Sequence, residues 1–565
     1  MEERALTTET GTVETEPVVS VAQNLPDKEK KWRIARNCLL EGLLYLAVIL
    51  LTSLLFTVLK PLIGYYSVGA FAKTFIAVCL GGCVVFISYM GTTKRLKTRH
   101  VAVMILIVGY VLRVGYMLYT PATVRQHDTF SKNFDGHEAY AWTIFETGSL
   151  PTTNAYQFYH PPLNALLQSL FMHITEGVTS IFGGNFFPDA FDYGKPEYVD
   201  AQRYFLYSSC QILSVTYAFI TSVLLMKMLK MFSFSDKAYL LLSAFAVLYP
   251  RHIQFAGMLN NDPLAYLFAV AALFFALRWW KGKRSPIYIL LCGLSVGLGM
   301  MVKLSSATVC IPIAGIFIYE FICTLRKKEG ALDFWEMVLQ YGVFLCICAP
   351  IGLWFQVYAK IRFDQPLGFV FSNLNKNLYT GDHSVWARFG ITFDLSEYLS
   401  SLFCLPFENY NLFNYAVKCS IFGEFQYAQG IGFGALALLF AYMGIAFLMI
   451  GGIWCVVIWC KNRKDKDSFI YKNPPMGHKD LLFAGLLIAS QVLSEIYFYA
   501  KMPYGCTMDF RYIMPLIFGL ALAIGFVGNT LTASGNAKAY KLNLLLNIAV
   551  VGFIVSSALF YCVCG

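Results

Sequence analysis

Charge is scarce in this sequence. Of its 565 residues only 14% are Asp, Glu, Lys or Arg, whereas 57% are hydrophobic, and the mean hydropathy is +0.56. That balance excludes a soluble globular protein and identifies an integral membrane protein. The formal charge of +10 does not indicate nucleic-acid binding, because Lys and Arg fall in short clusters between apolar runs, where they set topology. Paired-cysteine metal motifs are also lacking. The 16 cysteines include no CxxC pair, and most, such as Cys79, Cys83, Cys346 and Cys348, lie inside apolar runs as small packing residues. Cys404 and Cys419 share one polar stretch and are the pair placed for a disulfide. No Asn-x-Ser/Thr sequon occurs, which favours a bacterial plasma membrane over the endoplasmic reticulum. The absence of an internal repeat weighs against inverted-repeat transporters.

What the sequence has is apolar runs. Helices long enough to cross a hydrocarbon core of about 30 Å are expected near 38–58, 69–89, 101–119, 203–226, 237–250, 262–280, 286–302, 304–325, 335–357, 432–459, 480–499, 512–530 and 541–562. The fold class expected is therefore all-α and polytopic, with about thirteen spans. Residues 1–37, acidic and Thr-rich and then basic, read as a disordered cytoplasmic tail and not as a cleaved signal. The basic connections at 92–99, 227–237, 281–284, 326–328 and 461–479 alternate onto the side of that tail, which is thus cytoplasmic. Two large loops, 120–202 and 358–431, face the other side, where they form a shared working surface.

The first of these loops concentrates the chemistry. His127, Asp128, Asp135, His137, Glu138 and His160 lie within a few dozen residues of one another, in a protein where titratable groups are costly unless used. In the segment GHEAYAWTIFETG, Asp135 and Glu138 are expected on one face of a short helix with Trp142 and Phe145, ended by Gly148 and Pro151. A second, amphipathic helix follows Pro161-Pro162. Asp189, Asp192 and Glu197 read as ordinary surface charges. His127, Asp128 and His137 carry the side-chain types of a divalent metal site for Zn, Mn or Mg, although their spacing matches no strong motif. Asp262 reads first as a helix N-cap before Pro263, with a role in the polar cavity as the secondary reading. Lys303, between two apolar runs at the outer boundary, suits either a lipid phosphate or snorkelling to the interface. Arg511 and Tyr512 stand at the mouth of a span beside Asp509, and the guanidinium is suited to phosphate. Trp386, Arg388, Phe407, Tyr410 and Tyr415 suit a sugar or acceptor rim, or an interfacial belt.

A carboxylate soon after a span, followed by YAWTIFETGSLP and YHPPL, resembles the GT-C-fold membrane glycosyltransferases. The likeness is to the branch with protein O-mannosyltransferases and the lipid A aminoarabinose transferase. AGMLNNDPLAYLFAV at 256–270, GLGMMVKLSS at 297–306, YAVKCSIFGEF at 415–425 and DFRYIMPL at 509–516 follow in order, so the likeness covers about 101–530. That leaves residues 38–100 as two extra N-terminal spans and 531–565 as a C-terminal one. The resemblance implies inverting transfer of a sugar from a polyprenyl-phosphate donor to an acceptor hydroxyl on a lipid, protein or glycan, with no cofactor required. It also implies an acidic general base in the first outer loop. Asp128 is nearer the span and Asp135 better fits the family spacing; Asp128 is the preferred base. His137 and Glu138 are expected to orient substrate or bind metal. Lys303 and Arg511 are expected on the carrier phosphate, with Tyr512 beside them, and His160 stands where relatives often carry Lys. The competing reading is a transporter or lipid flippase, which would place its carboxylates within spans; Glu495 is the main residue of that kind. A non-catalytic assembly protein would not need the acidic residues at all.

Overall fold

The computed structural model describes residues 27–66, 69–181, 193–328, 332–368, 376–391, 401–462 and 477–565. Most of the N-terminal tail, Asp189 and Asp192, and parts of the second large loop and of the connection 461–479 lie outside the described residues. The regular structure among the described residues is all helical, with one isolated bridge between Tyr379 and Tyr504 and no named strand. A helix coincides with each of the thirteen expected spans. Eleven are long and apolar enough to cross a membrane. The other two, Asp236–Val247 and Pro286–Val302, have 12 and 17 residues.

The chain divides into two compact units, Met1–Leu51 and Thr52–Gly565. In the first, the described residues are the opening turns of a helix that runs Asp27–Tyr66, with Leu39, Leu40, Leu43 and Leu44 exposed. The second unit contains all the other helices. Its centre is formed by Ala201–Leu229 and Asp262–Lys281, each with 72% of its apolar window buried, whereas Ala70–Thr92 and Ile431–Lys461 bury only 17% and turn apolar faces outward, as helices against lipid do.

The short helix Asp236–Val247 has a physical cause. The chain breaks at Tyr249-Pro250 and resumes as a helix at Pro250–Gln254 and a 3₁₀ turn at Phe255–Gly257. A broken helix at membrane depth needs its freed backbone groups satisfied by protein. The buried Arg113 does this for the helix end, donating to the carbonyls of Val247 and Gly109, both at 2.8 Å. Side chains then fasten the irregular segment that follows. Gln126 donates to the Gly257 carbonyl at 2.6 Å and accepts from the Leu259 amide at 3.0 Å. Gln211 donates to the Gly257 carbonyl at 2.8 Å, Ser214 to that of Met258 at 2.5 Å and Gln168 to that of Leu259 at 2.7 Å. Gly257 fits because a Cβ there would stand 2.6 Å from the Tyr116 ring. The segment therefore delivers Asn260, Asn261 and Asp262 to one fixed place.

Candidate active site

The first outer loop folds back on its own short helix. That helix is His137–Thr147, ended as expected by Gly148 at φ 64°. It begins after Asp135, so Asp135 and Glu138 do not share a helical face as the sequence predicts; Gly136 is the cap between them. Two of its N-terminal amides, which have no partner within the helix, are taken by the loop: His137 donates to the Asp128 carbonyl and Glu138 to that of Thr129, both at 2.9 Å. A Cβ on Gly136 would meet the Thr129 carbonyl oxygen at 2.5 Å, so this close approach requires glycine. Asp128 itself adopts the left-handed conformation, φ 53°, one that Asp tolerates better than most residues. Its carboxylate Oδ1 accepts a hydrogen bond from the Tyr156 hydroxyl at 2.5 Å.

Glu138 lies outside the inner cavity described below. It is buried in a fork–fork pair with Arg203, in which Nη2 reaches Oε2 at 2.6 Å and Nε donates to Oε1. The Arg203 guanidinium sits 4.5 Å from the Phe134 ring centre and 5.6 Å from that of Trp142. Burial raises the Glu138 carboxyl above its ordinary value, and Arg203 opposes that rise. Glu138 thus pins the loop helix to the helix Ala201–Ser209.

Most of the expected site residues converge on an inner cavity of about 420 Å³. His127, Asp128, His137, His160, Lys303, Arg511 and Tyr512 all line it. His137 and His160 are stacked with ring centres 5.6 Å apart. Burial holds both neutral, lowering His137 to about 4 and His160 well below the usual histidine range. His160 therefore faces the cavity as a neutral imidazole and not as a cation.

Asp262 is also there, which corrects its reading as a cap. Asn261 occupies the N-cap position, and the Asp262 carboxylate points at cations, accepting from the Lys303 ammonium and lying 3.8 Å from Arg511 Nε. The ladder continues inward. Arg511 Nε is 3.6 Å from Asp509 Oδ2, and the fully buried Arg251 grips both Asp509 oxygens at 2.8 and 2.6 Å. His127 stands between Asp509 and Glu424, its two ring nitrogens each 3.5 Å from a carboxylate oxygen. Glu424 accepts from the Tyr415 hydroxyl at 2.5 Å. Burial, and then the Asp509 carboxylate, push Glu424 up to about 8. His127 is held well below the usual histidine range by burial first and then by Arg511 and Arg251.

Among the described residues, the one group whose donor atoms come within 4.8 Å of one another is His127, Glu424 and Asp509. The expected set of His127, Asp128 and His137 does not converge in this way. Cys404 and Cys419 are free thiols, so the disulfide expected between them is absent. None of Trp386, Arg388, Phe407, Tyr410 and Tyr415 lines either polar cavity; Tyr415 instead stands behind Glu424.

A second, outer cavity of about 540 Å³ adjoins the first, and both Asp128 and Asp135 line it. Asp128 is the one residue common to the linings of the two polar cavities. A third cavity, of about 500 Å³ and lined mainly by Phe, Leu, Ile and Val side chains, shares Glu495 with the inner one.

Residues 207–354 match the dolichyl-phosphate-mannose-protein mannosyltransferase family. That stretch contains Arg251, Asp262 and Lys303, and over it the resemblance to GT-C-fold membrane glycosyltransferases holds. Among solved structures, ArnT from Cupriavidus metallidurans, bound to undecaprenyl phosphate, is similar over 76% of each chain at 13% identity and a TM-score of 0.30. No curated protein matches the chain.

Proposed function

We propose that the protein is a membrane glycosyltransferase that moves a sugar from a polyprenyl-phosphate-linked donor to an acceptor hydroxyl on the extracytoplasmic face. The observation that carries this reading is the position of Asp128 between two polar cavities, of which the inner one also holds Lys303 and Arg511. The donor phosphate lies beside Lys303 and Arg511. Its prenyl chain occupies the apolar cavity that adjoins at Glu495, and the acceptor enters through the outer cavity.

The reaction then balances simply. Asp128 takes the proton of the acceptor hydroxyl as its oxygen bonds to the anomeric carbon. The bond from that carbon to the phosphate oxygen breaks, and the carrier phosphate leaves with the electron pair. Attack opposite the leaving group inverts the anomeric centre. Phosphate leaves as a stable anion, so fixed cations matter more than a general acid. Lys303 has three donors and gives one to Asp262; Arg511 Nε has no hydrogen-bond partner. Neutral His137 and His160 are suited to bonding sugar hydroxyls. Asp135 lines only the outer cavity, which supports an acceptor-side role for it and favours Asp128 as the base.

The site gathers the loop that follows Thr98–Tyr119 and the ends of Asp262–Lys281 and His478–Lys501. Alternation puts these ends opposite the basic connections, which supports the extracytoplasmic assignment. A divalent ion does not fit the His127, Glu424 and Asp509 group as it stands, because Arg251 and Arg511 already face the Asp509 carboxylate. No step here runs through a metal.

The test is release of polyprenyl phosphate from polyprenyl-phosphate sugars by purified protein in detergent. Asp128→Asn keeps the shape and removes the base, and is expected to slow release about 10²–10⁴-fold. A variant that turns over at the wild-type rate removes Asp128 from this role.

A further inference from the structure

We infer that the acceptor is an uncharged saccharide, seated in the outer cavity through its hydroxyls. This rests on the transfer reaction proposed above and names the acceptor that reaction would use.

The first ground is charge. The described lining of the outer cavity includes two carboxylates, Asp128 and Asp135, and no Lys or Arg. Cations close in sequence are engaged elsewhere. Arg203 is paired with Glu138. Lys195 donates to the Val199 carbonyl at 3.1 Å. Arg125 packs on the rings of Tyr116, Tyr119 and Tyr427 and donates to Thr120 Oγ1 at 3.2 Å. Lys132 is exposed and outside the lining. A phosphorylated or carboxylated acceptor would bring negative charge against two carboxylates with no cation in the described lining to offset it.

The second ground is hydrogen bonding. Asp135 Oδ1 is buried and has no hydrogen-bond partner, which is costly unless a ligand supplies the donor. A carboxylate accepts two donors side by side, and adjacent sugar hydroxyls present such a pair. Asn133, Ser131 and the phenol of Tyr198 add side-chain partners at the rim, and the cavity is of ordinary small-ligand size.

The third ground separates a saccharide from a peptide or a lipid. A peptide bound by strand addition needs free backbone partners, but the carbonyls of Asp128 and Thr129, two residues of the lining, are already bonded to the amides of His137 and Glu138. A lipid needs an apolar trough. Phe130 and Pro196 are the only wholly apolar side chains of the described lining, and Phe130 is turned onto Tyr204 and Tyr207.

The experiment measures polyprenyl phosphate release and glycosylated product from the full chain in detergent. Candidate acceptors are added one class at a time: neutral disaccharides, the same disaccharides carrying a phosphate or a uronate, Ser/Thr peptides, and a phosphorylated glycolipid. Neutral disaccharides are expected to raise release over the water rate by at least about ten-fold and to appear as extended glycans. Their anionic counterparts are expected to do so at least about ten-fold less well. Asp135→Lys, checked for an unchanged melting temperature, is expected to shrink that gap to within about two-fold. Equal use of anionic sugars, or stimulation only by peptide or glycolipid, overturns the saccharide assignment while release itself keeps the transferase reading. Folded protein that releases no carrier with any addition defeats the transferase reading and the acceptor with it.

Discussion

The Tyr156 hydroxyl donates to Asp128 Oδ1 at 2.5 Å, and Asp128 is held at φ 53° by a loop whose carbonyls close the start of the next helix. Tyr156 therefore orients the carboxylate, which in the proposed reaction acts on the acceptor through its other oxygen. Tyr156→Phe keeps the ring and removes the bond. Loss of one positioning hydrogen bond to a charged group costs about 1.5–3 kcal/mol, so carrier release is expected to fall at least about ten-fold, with the base still present. An unchanged rate would show that the carboxylate is aligned by the backbone alone.

Glu424 gives a pH dependence of stability. Its folded value of about 8 lies above the ordinary glutamate value, so the folded protein keeps a proton that the unfolded chain releases. The stabilising contribution is present below the ordinary value and is lost as pH rises through about 8. Between those limits the slope approaches about 1.4 kcal/mol per pH unit. Melting temperature should decline from pH 6 to pH 9, and Glu424→Gln should flatten that decline. A wild-type profile already flat over this range would mean that Glu424 is ionised in the fold.

Much of the fold was legible because hydropathy at membrane length is a strong signal, and helices appear where all thirteen runs predict them. The site was legible in part. His127, Asp128, His137 and His160 of the first loop and Lys303, Arg511 and Tyr512 stand out as polar groups beside spans, and they meet in one cavity, whereas Asp135 and Glu138 do not join them. Asp262 was misread because Asn-Asn-Asp-Pro satisfies the capping pattern locally, while its partners Lys303 and Arg511 are remote in sequence. Glu424 carried one overlooked signal. Gly423 before it has φ 65°, and a Cβ there would stand 2.0 Å from Arg251 Nη1, although from sequence alone such a glycine reads as an ordinary helix C-cap. Glu138 was misjudged in the other direction, since periodicity cannot show that Arg203 waits on a different helix.

Asp262 separates Lys303 from Arg511, and this makes it a stability residue as well as a site residue. Asp262→Asn preserves volume but leaves two part-buried cations without the carboxylate they share. Removing one partner of a buried pair typically costs about 3–5 kcal/mol, so a clear fall in melting temperature is expected. Bound polyprenyl phosphate should restore part of it, because a phosphate supplies the missing negative charge between the same two groups. A variant that melts like the wild type with and without the lipid would argue against a shared phosphate position.

The charge balance around His127 leads to a prediction about metals. Its two carboxylate neighbours, Glu424 and Asp509, sit with Arg251 and Arg511, and Arg251 already occupies both Asp509 oxygens. A divalent ion would have to displace a guanidinium from a bidentate bond and would face a second one 3.6 Å from the same carboxylate. Carrier release in excess chelator is therefore expected to stay within about two-fold of the untreated rate, since a metal acting on the reacting oxygens would be worth far more than that. Loss of activity in chelator, restored by Zn, Mn or Mg, would instead mean that Arg251 leaves Asp509 in the working enzyme. In that case Arg251→Lys, which cannot form the same fork, should bind the ion more tightly than the wild type.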